Sequence, residues 1–216
     1  MSIDDKTLLA AIEEAKRNSK KRNFTQTVEL IINLKDVNPK KPEERFQELI
    51  ELPYKPGKER SVCVIASGDM ALRAKRSGAD LVIEREELER LSQNRRALKE
   101  LSKKYDFFIA EASLMPLVGR YLGFALGPKG KMPTPLPPNA DIAGRINSYR
   151  KTVMVRLRNF NVLRCAVGSE DMKNEEILEN IKTVLNRVTD RLKRGIKNID
   201  SLYIKTTMGK PVKVKV

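Results

Sequence analysis

A chain of 216 residues can bury one large core or two modest ones, and its 43 Lys and Arg against 28 Asp and Glu give a net charge of +15. That excess points to a polyanionic partner, although a composition that is 33% charged is also usual in heat-adapted proteins. The absence of His removes the commonest general base and the commonest zinc ligand together, which weakens the case for catalysis; neither an enzyme nor a cofactor is expected.

The cation excess grows along the chain, from +2 over residues 1–60 to +5 over 61–150 and +8 over 151–216. The acidic, amphipathic opening is unlike a secretory signal, and no apolar run approaches the roughly 20 residues that a bilayer crossing needs. Cys63 and Cys165 sit in apolar strand-like runs with no partner at metal spacing. A soluble intracellular protein with two reduced, core-forming cysteines is expected.

Residues 4–21 space Leu8, Leu9, Ile12 and Ala15 at helical intervals, with Asp4 and Asp5 in front and Lys16, Arg17, Lys20, Lys21 and Arg22 behind, a charge order that suits the helix dipole. The run 24–34 then alternates, sending Val28, Leu30, Ile32 and Leu34 inward and Thr25, Thr27, Glu29 and Asn33 outward, as a long central strand does. At its entrance Phe24 follows three cations and an Asn, a mix suited to base stacking and phosphate contact, though Phe24 fits a core plug equally well. A turn at 38–42 and a strand over 46–52 follow, and Pro53 to Lys58 has the proline and glycine content of a linker.

Beyond residue 60 the texture changes. Apolar runs at 61–66, 79–83 and 106–110, each followed by a helical stretch (69–76, 86–103, 114–122), read as three strand–helix units of a small parallel α/β domain. Ser67-Gly68-Asp69 resembles half of a dinucleotide turn, but the full glycine spacing is missing and no acidic residue follows the next strand at a ribose position, so nucleotide binding is not expected there. The segment 114–135 runs from a helix into a loop of Gly127, Pro128, Gly130 and Pro133 that carries Lys129 and Lys131. As a phosphate loop it fails, because Ala125 and Met132 stand where Gly and Ser or Thr are needed. A phosphoryl-transfer enzyme using 126–134 is the competing reading, and it has no carboxylate pair, His or magnesium-binding hydroxyl to support it. A stiff, exposed cationic loop is expected instead, with Gly127, Lys129, Gly130 and Lys131 offered to RNA.

Alternating strands return at 152–158 and 162–168, and an amphipathic helix runs from Asn174 to about Arg194, its core face Ile177, Ile181, Val184, Leu185, Val188 and Leu192 and its stop Gly195. Residues 199–216 read as a hairpin. Leu202, Ile204, Thr206, Val212, Val214 and Val216 take one face, and Ser201, Tyr203, Lys205, Thr207, Lys213 and Lys215 take the other. That second face holds hydroxyls and three ammonium groups without a carboxylate, which suits phosphate and ribose oxygens better than plain solvent.

The sentence at 114–135 resembles the signature of the ribosomal protein L-one family, and Asn23-Phe24-Thr25-Gln26-Thr27 and Thr206-Thr207-Met208-Gly209 are similar to that family's two terminal motifs. The resemblance spans nearly the whole chain, and the wording at 107–135 looks like the archaeal branch. It implies an α/β protein: an α+β terminal domain with an antiparallel-rich sheet, from 1–58 and 152–216, and an inserted three-layer, Rossmann-like α/β domain over 61–150, joined by mobile linkers near 54–60 and 149–153. It also implies a cytoplasmic, ribosome-bound protein, monomeric when free. Its partners would be the large-subunit ribosomal RNA of the stalk, exit-site transfer RNA and its own messenger RNA, with no membrane among them. The RNA-binding residues implied are Phe24, Thr25, Thr27, Glu29, Ser201, Lys205, Thr206, Thr207, Met208 and Gly209. Asn23 stands where many relatives carry a cation.

Overall fold

The computed structural model describes residues 4–214; Lys215 and Val216, expected to extend the last strand, lie outside them. Two compact units emerge, one formed by residues 1–59 together with 151–216 and the other by 60–150. The first opens with helix α1 (Asp5–Arg17) and strands β1 (Thr27–Leu34) and β2 (Phe46–Glu51). The second runs β3 (Val62–Ile65), α2 (Gly68–Arg76), β4 (Leu81–Ile83), α3 (Arg85–Ser92), α4 (Arg95–Lys104), β5 (Phe107–Glu111), α5 (Met115–Leu126), β6 (Thr134–Leu136) and α6 (Ile142–Arg150). The chain then returns to the first unit for β7 (Thr152–Leu157), β8 (Val162–Ser169), α7 (Asn174–Arg191), β9 (Ile199–Thr206) and β10 (Val212–Val214).

In the terminal unit an antiparallel sheet has the order β10-β9-β1-β8, so the central strand comes from the start of the chain and all its companions from the end. Strict alternation puts Val28, Leu30, Ile32 and Leu34 in one core with Leu8, Ile12 and Ala15 of α1 and Ile177, Ile181, Val184 and Val188 of α7. Each of these larger side chains, taken out of water, contributes roughly 1.5–3 kcal/mol. The strands expected over 152–158 and 162–168 form, but β7 pairs with β2 in a separate two-stranded sheet while β8 pairs with β1. Register keeps Cys165 beside Leu30 and leaves it half-buried, so only Cys63 is a fully enclosed thiol, its pKa pushed up by burial.

The expected flexible stretch after β2 is in part anchored. Asn180 on α7 is fully buried; its Oδ1 accepts from the Tyr54 N–H at 3.0 Å, and its Nδ2 donates to the carbonyls of Val167 and Tyr54. Gly57 follows at φ +87°, a backbone conformation that disfavours side chains, and a Cβ there would meet Ser169 Cβ at 2.7 Å. Asn180→Ala strands two carbonyls and an N–H in the core and is expected to destabilise this unit by about 2–4 kcal/mol in denaturant unfolding.

The inserted unit is a four-stranded parallel sheet in the order β4-β3-β5-β6 with helices on both faces. Helices α2 and α6 cover one side through Met70, Ala74, Ile142 and Ile146; α3, α4 and α5 cover the other through Leu88, Leu98, Val118 and Leu122. The sequence reading has three strands here, and β6 is a fourth, hidden in the supposed loop. Pro135 sits within it because the strand is at the sheet edge, where a missing N–H donor is tolerated. At the crossover point between β3 and β5, where such sheets bind nucleotides, Glu111 is buried and accepts hydrogen bonds from the Ser67 N–H and hydroxyl and from the Ser113 hydroxyl. Those bonds, Ser113's first, hold its carboxyl below the usual carboxylate range. A fixed anion there disfavours phosphate.

Candidate nucleic-acid interface

The approach to β1 and the turn after β9 are locked together by one buried side chain. Gln26 is 0% exposed. Its Nε2 donates to Ser19 Oγ at 2.7 Å, the Lys20 carbonyl at 3.0 Å and Glu170 Oε2 at 3.2 Å, while its Oε1 accepts from the Met208 N–H at 3.2 Å. Thr207 completes the junction: its N–H donates to the Thr27 carbonyl and its Oγ1 accepts from the Thr27 N–H at 3.1 Å. With the turn held this way, Met208 is 61% exposed beside a strand entrance at which Phe24 is 51% exposed. Phe24 is therefore not a core plug. Thr25 and the cations Lys20, Lys21 and Arg22 are exposed on the same approach.

Below this edge the register builds the open face of the sheet row by row. Lys205 and Ala166 flank Glu29; Tyr203 and Arg164 flank Ile31, with Lys213 beyond Tyr203; Ser201 and Val162 flank Asn33. Lys205 Nζ donates to the Thr207 carbonyl at 3.1 Å, so its charge lies against the turn. The Glu29 carboxylate has no hydrogen bond or ion pair among the described residues.

Seven of the residues expected to meet RNA have partners or packing inside the fold. Thr206 is 0% exposed and donates its hydroxyl to Ser19 Oγ at 3.0 Å, so it supports the turn from inside and faces no RNA. Ser201 is 6% exposed, its hydroxyl accepting from Asn33 Nδ2 at 2.9 Å and donating to Asp200 Oδ2. Ser201 keeps the parity of Tyr203 and Lys205, opposite Asn33, and is covered there by the neighbouring polar side chains of Asn33 and Asp200. Gly209 also has an internal reason: a Cβ there would lie 2.3 Å from Thr206 Oγ1.

The loop after α5 is held by internal partners as well. Lys129 Nζ donates to Ser102 Oγ at 2.6 Å, and Lys131 Nζ donates to the Tyr105 carbonyl at 2.6 Å and the Ser102 carbonyl at 3.3 Å. Both lysines cap the C-terminal end of α4, where a positive charge offsets the helix dipole, and burial pushes the Lys131 pKa down. Gly130 takes φ +70° and Gly127 abuts the Gly123 carbonyl, so the glycines shape the fold. Replacing Lys129 and Lys131 together with Met is expected to lower the stability of the inserted unit by about 1–3 kcal/mol while leaving RNA affinity within about twofold, as thermal melts and filter binding can show.

Some contributors left little trace in the sequence. Arg164 looks like one outward residue among many until the register places it across from Ile31 and Tyr203. Gln26 is polar in a polar stretch, and only its burial gives it away.

The arrangement defines an α/β protein of two units, one presenting an open, cation-rich sheet face edged by two exposed apolar side chains. Residues 14–210 match the ribosomal protein L1p/L10e family. The large ribosomal subunit protein uL1 of Pyrococcus abyssi is 49% identical over 216 residues, covering 100% of this chain and 98% of that protein. Its counterpart in Thermococcus kodakarensis is 48% identical over the full length of both chains. That of Methanothermobacter thermautotrophicus is 45% identical over 207 residues, 96% of this chain and 98% of that protein. The chain belongs to the ribosomal protein L1p/L10e family, its relatives named here are archaeal, and it is not an enzyme.

Proposed function

We propose that the chain is a structural constituent of the large ribosomal subunit, working in the cytoplasm, and that the terminal unit binds large-subunit ribosomal RNA through the open face of its four-stranded sheet. The observation that supports this most is the Gln26 junction, which spends a buried amide on holding an exposed turn against an exposed strand entrance. Phe24 and Met208 offer apolar surface to bases and riboses, Thr25 and Thr27 offer hydroxyls, Glu29 accepts from 2′-hydroxyls, and Tyr203, Arg164 and Lys213 extend the contact across the sheet. Lys205, Lys20, Lys21 and Arg22 supply affinity that weakens with salt. Family membership supports the identity of the RNA as that of the stalk, the release of deacylated transfer RNA as its consequence, and binding of the chain's own messenger RNA by the same face as a means of repression. The free protein is taken to be a monomer.

Footprinting of the full chain on total ribosomal RNA tests the first claim, together with competition between a stalk fragment and an unrelated hairpin at matched salt. One protected segment and a preference of at least about 100-fold are expected for a shape-specific binder. Equal affinity for both RNAs would reduce the protein to a basic mass held by charge and overturn the reading.

A further inference from the structure

We infer that α4 and α5 of the inserted unit carry a second RNA-binding surface, one that stacks unpaired bases of an RNA loop between arginine and aromatic side chains. The inference rests on the proposal that the chain works within a ribonucleoprotein, but it uses none of the residues assigned above.

Phe124 on α5 is 41% exposed, and the Arg95 guanidinium at the start of α4 lies over its ring at 5.5 Å from the centroid. One turn earlier, Arg120 lies 5.9 Å from the centroid of the half-buried Tyr121. Arg120, Tyr121 and Phe124 are spaced to share one side of α5. Neither Arg95 nor Arg120 has an ion pair or hydrogen bond among the described residues, whereas the adjacent Arg96 is paired with Glu100 at 3.6 Å. Two planar cations on two rings, uncompensated by carboxylate, therefore face solvent.

The helix beneath them is unusually bare. Gly119 and Gly123 each cost about 1 kcal/mol against Ala in a helix interior. A Cβ at either position would meet nothing within 4 Å, so internal packing does not require these glycines. They leave room for something from outside to reach the helix backbone on the flank next to Arg120 and Phe124, the side of α5 away from Tyr121. An apolar protein partner needs a larger continuous patch than one exposed Phe and one half-buried Tyr. An acidic peptide would use the cations and leave the rings and the bare backbone idle. An RNA loop uses all three: phosphates pair with Arg95, Arg120 and the exposed Lys99 and Lys103, an unstacked base lies on a ring or guanidinium plane, and the sugar-phosphate backbone passes over the glycines.

The test measures binding of the full chain to a stem-loop RNA with a seven-nucleotide loop and to a blunt duplex of matched length and composition. Phe124→Ala is expected to weaken stem-loop binding by about 5- to 100-fold, and Arg95→Glu with Arg120→Glu by about 10-fold or more, with thermal unfolding and affinity for the stalk fragment unchanged. Met208→Asp is expected to do the reverse, losing the stalk fragment and keeping the stem-loop, so failure of one surface is read apart from failure of the other. Stem-loop affinity unchanged in both α4/α5 variants, or an equal loss for stem-loop and stalk fragment, would overturn the inference.

Discussion

Met208→Asp is expected to lower affinity for the stalk RNA fragment by about 100-fold or more while the unfolding midpoint of the terminal unit stays where it was. The side chain is 61% exposed, and the turn is held through its backbone N–H on Gln26 Oε1, which the substitution leaves in place. What changes is the chemistry offered to RNA: an apolar contact becomes a carboxylate facing phosphate, an unpaired charge at an interface that costs several kcal/mol. Filter binding at one salt concentration, with a thermal melt alongside, checks both halves. Normal affinity would remove the turn from the binding surface. Thr207→Ala differs in kind, because the hydroxyl it deletes accepts from the Thr27 N–H; a stability loss of about 1 kcal/mol should accompany its weaker binding.

Gln26→Leu is expected to have the largest structural effect, although residue 26 touches no RNA. The replacement keeps the volume and removes every polar contact. The Met208 N–H, the Lys20 carbonyl, Ser19 Oγ and one Glu170 oxygen each lose a partner, and the backbone bond from the Gln26 N–H to Glu170 Oε1 survives. Leaving that many groups unpaired around a buried site costs about 3–5 kcal/mol, measurable by chemical denaturation. RNA affinity should fall with it even under conditions where the unit stays folded, because the turn carrying Met208 loses its tether. A variant of unchanged stability that still binds tightly would show that the junction neither holds the turn nor matters to the surface.

Alternation and periodicity, set by a period of two or 3.6, made much of the fold legible: the inward residues of β1, the core face of α7, and the change of texture at residue 60. What was hidden depends on pairing. Asn33 and Asp200 cover Ser201 on a face that counting makes open, and β7 and β8 run in succession yet join different sheets. Strand β6 was masked by Pro135 and the prolines that flank it, and α6 by Gly144, Asn147 and Ser148, which dilute the spacing of Ile142, Ile146 and Tyr149. The motif residues lie close together without the sequence separating those that face outward, Phe24 and Met208, from the one that braces them within, Thr206. For Lys129 and Lys131 the sequence shows a charge but not the Ser102 hydroxyl and the Ser102 and Tyr105 carbonyls that take their hydrogen bonds.

The central position of β1 between β8 and β9 has a bearing on synthesis. As the polypeptide leaves the tunnel that makes it, the inserted segment is contiguous and can close on itself early, while the first strand must wait for companions more than a hundred residues behind it. Until residue 208 has emerged, Gln26 has no amide hydrogen from that turn to accept and the sheet edge does not exist. On the proposed function, a nascent or truncated chain lacks the terminal unit's binding surface until its last strands have been made.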